Sequence, residues 1–131
     1  MKMEFLDATG AGEYPNASPK LMIRLSEFTN EEKLNLINSI EKIVLERREI
    51  LKLHQLPFIE RGNCLINLKL GEKDIGLLTS GSNREYTCLL SPSAYRDMIE
   101  IIKNVEDAHN WLTPGEYLDE QAFLISKWGP W

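Results

Sequence analysis

Apolar positions recur along the chain with two periods. In Cys64-Leu65-Ile66-Asn67-Leu68-Lys69-Leu70 the even positions are apolar, while Asn67 and Lys69 are polar. Side chains alternate across a strand, so this segment reads as a half-buried strand. Residues 75–79 and 85–90 read as two more strands, set off by polar turns at 71–74 and 80–83. Short turns between successive strands predict an antiparallel meander. Residues 2–7 and 21–25 predict strands before it, and residues 121–126 a strand after it. Between the first two, residues 8–19 are rich in Gly, Pro, Asn and Ser and predict a surface loop.

Two segments carry the helical period instead. Thr29 followed by Glu32 fits a capping box, in which hydroxyl and carboxylate each satisfy a free backbone N–H. Leu34, Ile37, Ile40, Val44 and Leu45, flanked by Leu36 and Ile43, then repeat at helical spacing and predict a helix over about 30–48. Residues 50–54 read equally as a last turn or a new strand, and Pro57 stops either. Ser91-Pro92 predicts a second helix, with serine as N-cap and proline in the first turn. Tyr95, Met98, Ile99, Ile102 and Val105 line one face of it, up to about Glu106. The expected architecture is α+β: a single domain over residues 1–131, with one antiparallel sheet of about five strands around a central meander and two helices on one face.

Composition narrows the class. A chain of 131 residues is long enough to build a core without disulfide or metal staples. Its net charge of −5 argues against binding a nucleic-acid backbone, and no basic stripe surrounds Arg47, Arg48 or Arg84. No run of 18 apolar residues predicts a membrane span. The first residues turn acidic at once and lack a signal peptide's apolar run. With only two cysteines, the expected setting is cytoplasmic.

Candidate catalytic motifs fail on chemical grounds. Gly10-Ala11-Gly12 is followed by Glu13-Tyr14-Pro15, not by the lysine and hydroxyl that hold phosphate and magnesium. His54 and His109 have no partner at metal-ligand spacing. Cys64 and Cys88 run in phase with the apolar residues of their strands and read as small core hydrophobes. Glu116, Asp119 and Glu120 are close enough in sequence for acid–base work, but loop acids of this kind are ordinarily solvated. The expectation is a protein that is not an enzyme and has no catalytic residue, cofactor or metal site.

The uneven feature is the C-terminal segment. Residues 104–131 hold five acids, Glu106, Asp107, Glu116, Asp119 and Glu120, against the single base Lys127. All three tryptophans, Trp111, Trp128 and Trp131, are here too, with Tyr117 and Phe123. On one reading the tryptophans close the end of the core and the acids keep a loop soluble. On the other, Trp111, Glu116, Tyr117, Asp119 and Glu120 form a docking face. Aromatic anchors beside charge are what binding hot spots look like, and a negative field steers a basic partner.

The segment Trp111-Leu112-Thr113-Pro114-Gly115-Glu116-Tyr117-Leu118, the strand Phe123-Leu124-Ile125-Ser126 and the tail Trp128-Gly129-Pro130-Trp131 give a small acidic α+β chain an acidic loop after its last helix and a Gly-Pro-Trp end. In this the chain resembles the immunity proteins of bacterial toxin systems. The resemblance implies a protein partner, a toxin domain that is often basic, and neutralisation by binding. Two alternatives stand beside it: a homodimerising or accessory subunit that uses the meander's edge or the terminal tryptophans, and an enzyme whose site draws on Asp7, His54 or His109.

Overall fold

The alternating segments form strands, but these divide between two sheets. The structure, a computed structural model, describes residues 1–7, 21–62, 64–79, 85–105, 110–112 and 121–126. In the first sheet β1 (Lys2–Asp7) pairs antiparallel with β2 (Leu21–Ser26), and β9 (Gln121–Ile125) pairs parallel with β2. Two short ladders close its edges. β4 (Glu60–Arg61) lies parallel to β1, and β8 (Asn110–Trp111) lies antiparallel to β9. The strand order is β4-β1-β2-β9-β8.

The second sheet has the order β3-β5-β7-β6, from β3 (Leu51–Lys52), β5 (Leu65–Leu70), β6 (Gly76–Thr79) and β7 (Glu85–Leu90). The chain is therefore α+β with two mixed sheets, and the expected single antiparallel sheet with a central meander is incorrect. β5 pairs with β7 in parallel, and among the described residues β6 pairs with β7 alone. The connection from β5 to β6 passes over the end of β7: the Gly71 N–H donates to the Leu90 carbonyl at 2.9 Å, and the Ile75 N–H to that of Leu89 at 3.0 Å. Burial explains the order. β7 buries Tyr86, Cys88 and Leu90 and half-buries the residues between them, as suits an interior strand. β6 is short and leaves Leu78 exposed, as suits an edge.

The first helix begins as its capping box dictates. The Glu32 N–H donates to Thr29 Oγ1 at 3.1 Å, and the Thr29 N–H donates to Glu32 Oε1 at 2.9 Å. The other Glu32 oxygen accepts from the Met1 amino group, which also donates to the Phe58 carbonyl. That ammonium, followed by the Thr29 backbone N–H, holds the Glu32 carboxyl below the usual carboxylate range. From Ile40 the course departs from expectation. α1 (Asn30–Ser39) is regular, but Ile40–Glu46 continues as a π-helix. At the switch the Ser39 hydroxyl donates to the Asn35 carbonyl at 2.9 Å, a contact that loosens and bends helices. Arg47 N–H then reaches back five residues to the Lys42 carbonyl. The inward face follows the Leu36–Ile40–Val44 row, which leaves Leu34 of the regular α1 on its flank. Leu36, Ile37, Ile40 and Val44 are buried, whereas Leu34, read from the sequence as a core position, is 54% exposed. Arg48 ends the helix with φ of 55°, the left-handed position that glycine usually takes.

Leu51–Lys52 resolves the ambiguous stretch as a strand followed by the 3₁₀ turn Leu53–Gln55. α2 (Pro92–Lys103) starts on its serine cap, with the Ala94 N–H donating to Ser91 Oγ at 3.2 Å, and buries Tyr95, Met98, Ile99 and Ile102. It lies against β7, and the π-helix lies against β3 and β5. Asp74, in the β5–β6 connection, accepts from the Ser91 N–H at 2.8 Å and ties that connection to the head of α2. Apart from Leu124, the buried apolar residues of both sheets and both helices form one continuous cluster, and Phe5 of β1 stacks on Tyr86 of β7 at 5.8 Å across the two sheets. Among the described residues no helix is long and apolar enough to cross a membrane.

Candidate functional site

The residues expected to dock flank β8 and β9 along the sequence. Asn110 faces Ile125 and Trp111 faces Leu124 in antiparallel register, and the Leu112 N–H donates to the Phe123 carbonyl at 2.7 Å. Leu112 and Phe123 are both buried, so this closure belongs to the core. β9 is buried from Phe123 to Ile125 and is held by β2 on its other side. Glu116, Asp119 and Glu120 thus belong to an interval whose two ends are fastened together at the edge of a buried sheet. The backbone of Trp111 lies in β8. Its side chain, with Glu116, Tyr117, Asp119 and Glu120, lies outside the described residues, as do Trp128, Trp131, His109, Glu106 and Asp107.

The reactive side chains within the described residues are structural in their surroundings. Cys64 and Cys88 are buried thiols, neither in a disulfide. Burial pushes the Cys88 thiol up to about 12, partly offset by its contact with Tyr95. It therefore supplies no thiolate near neutral pH. Burial likewise pushes the Tyr95 phenol far up, so it stays protonated. Its oxygen accepts from the Lys69 N–H at 2.9 Å and lies 2.8 Å and 2.7 Å from the carbonyl oxygens of Lys69 and Cys88. The single hydroxyl proton serves one of those carbonyls at a time. His54 is half-buried in the 3₁₀ turn, and the Asp7 side chain lies outside the described residues. Among the described residues no three His, Cys, Asp or Glu side chains stand close enough to hold a metal ion.

A second acidic feature lies on the helices. The π-helix and α2 enclose an open cleft of about 490 Å³. Glu41 and Glu46 rise from one wall, Asp97 and Glu100 from the other, and Arg96 shares the rim. All five are exposed, whereas Leu45 is half-buried and Ile99 buried at the base. Glu100 meets Lys103 at 3.8 Å as an exposed pair. Glu41, Glu46, Asp97 and Arg96 have no ion-pair partner among the described residues.

Helical periodicity in the sequence does not reveal this cleft, because it presumes α-helical spacing throughout. At 3.6 residues per turn, Glu41 and Glu46 project roughly 140° apart. Bonding to the fifth residue instead brings positions four and five apart to one side, which aligns Glu41, Leu45 and Glu46. The available signal was indirect: Asn38-Ser39 in mid-helix, where Ser and Asn compete for backbone carbonyls. Compared with known proteins, the chain matches no protein-family model and no curated relative.

Proposed function

We propose that this is a non-enzymatic binding protein of the immunity type, which docks a basic toxin domain and blocks it. One observation carries the reading. Five acids against one base, and all the chain's tryptophans, are gathered in residues 104–131, and the acidic interval inside that segment is fastened at both ends through Leu112 and Phe123. Fastening the ends of a recognition loop lowers the entropy lost when it binds. Clustered carboxylates steer a basic domain toward it. Trp111 and Tyr117 would then anchor the contact, with Glu116, Asp119 and Glu120 providing the charge.

The test is a titration with the toxin domain of whichever toxin gene adjoins the gene for this chain; a gene with no toxin neighbour would count against the immunity reading. Changing Glu116, Asp119 and Glu120 together to lysine is expected to weaken binding at least about tenfold and to flatten its dependence on salt. Unchanged affinity with unchanged salt dependence would remove these residues from the interface. Failure of the unmodified protein to bind or neutralise that toxin would sink the immunity reading itself.

A further inference from the structure

In the second sheet the register row Leu51, Leu68, Cys88 and Leu77 is buried in the core. The next row, Lys52, Asn67, Thr87 and Leu78, points to the opposite face. There Lys52, Lys69 and Leu78 are exposed, and Leu65, Glu85 and Leu89 are half-buried. We propose that this outer face joins two copies of the chain. They are related by a two-fold axis that crosses the strands at Asn67, so that facing strands run in opposite directions. Three observations select a second copy as the occupant. The central β5–β7 pair is parallel, and parallel strands are ordinarily covered on both faces. Asn67 is only 9% exposed, yet its Oδ1 has no hydrogen-bond partner, while its Nδ2 donates to Glu85 at 3.3 Å. A buried acceptor calls for a donor. The two-fold axis places the same amide opposite, and the second N–H of that amide can donate to the oxygen. The charges are self-complementary as well. Lys69 lies beside Leu89 at one end of the β5–β7 pair, and Glu85 lies beside Leu65 at the other. Reversing the strands brings each Lys69 over the end that holds Glu85 of the other copy. Among the described residues of this face Glu85 is the only acid, in a chain that has 20, so the general negative charge is kept off the contact. Strand spacing and rise make the face at most roughly 20 Å on a side. That is small beside the roughly 800 Å² per partner of a standard interface, so the dimer is weak, with a micromolar dissociation constant.

The experiment is sedimentation velocity of the full chain under reducing conditions, from about 1 µM to about 1 mM. A reversible monomer–dimer equilibrium is expected within that range. Leu78→Lys should raise the dissociation constant at least about tenfold, and circular dichroism checks that each variant keeps its fold. Lys69→Glu and Glu85→Lys should each weaken the dimer alone. An equimolar mixture of these two variants should dimerise again, because each altered charge then meets its opposite on the other copy. A chain that stays monomeric up to about 1 mM overturns the proposal. So does a dimer indifferent to Leu78→Lys, or a mixture no more dimeric than either variant alone. A monomeric chain whose toxin binding is lost in Leu78→Lys would give this face to the toxin instead, and would likewise overturn the dimer.

Discussion

Replacing Tyr95 by phenylalanine is expected to destabilise the protein by about 2–3 kcal/mol, although it removes one oxygen and leaves the ring in place. The ring is fully buried, so the loss falls on hydrogen bonding. Without the hydroxyl, the Lys69 N–H loses an acceptor, and the Lys69 and Cys88 carbonyls lose the donor they share. These groups belong to neighbouring strands, since Lys69 faces Leu89 in the parallel β5–β7 pair. A polar group left buried without its partner costs about 1–3 kcal/mol, more than an average hydrogen bond contributes. For a domain of this size, the melting temperature should fall by roughly 10 °C. A fall of less than about 2 °C would show that the ladder closes without the hydroxyl, and that Tyr95 acts only as a large apolar side chain.

The neighbouring thiol adds a pH dependence of known sign. Burial raises Cys88 in the folded state from its ordinary value of 9.0 to about 12. Above pH 9 the unfolded chain releases this proton while the folded chain keeps it. The unfolded state then binds fewer protons, so stability falls as pH rises from 9 toward 12. Below pH 9 this group contributes no slope. Denaturant titrations at successive pH values should show a shallower alkaline decline in Cys88→Ala than in the unmodified protein. Equal slopes would assign the decline to other groups.

Tyr95 also shows where sequence reading stops. Its spacing with Met98, Ile99 and Ile102 marks a buried helix face correctly, but periodicity reports only that a side chain points inward. It does not report that the hydroxyl reaches two strands. The same limit applies to the sheets. Alternation in residues 64–70 and 85–90, and the apolar stretch 75–79 set between polar turns, identify three strands that exist, because these are local properties. Which strands pair is set by long-range packing. β7 comes between β5 and β6 because it has more surface to bury than β6 does. The capping box at Thr29 and the serine cap at Ser91 were legible to the residue, since caps depend on a few neighbouring atoms. The two-residue ladders β3, β4 and β8 are too short to leave a period. For function, the acidic C-terminal interval was legible as composition, and its fastening by Leu112 and Phe123 required the register. The helical cleft was hidden, because its alignment depends on a change of hydrogen bonding within one continuous helix.

An ion pair that sequence reading left unnoticed should produce the larger stability effect. Glu4 and Arg24 face each other in the β1–β2 register, and the guanidinium donates to the carboxylate at 2.5 Å. The side chains are only 20% and 6% exposed. Arg24 has Leu124, itself fully buried, opposite it on β9, so its charge lies on a covered face of the sheet. Exposed ion pairs contribute at most about 1 kcal/mol, but removing the acid from a buried one leaves the remaining charge less well compensated in a poorly solvating place. Glu4→Ala is therefore expected to cost about 3 kcal/mol in denaturant unfolding. The double variant Glu4→Leu/Arg24→Met should recover most of that loss, because it removes the buried charge and adds apolar contact with Leu124. A cost below about 1 kcal/mol for Glu4→Ala would mean that water reaches the guanidinium. A double variant as unstable as Glu4→Ala would mean that Arg24 is held by more than Glu4, and that this face of the sheet depends on the arginine itself.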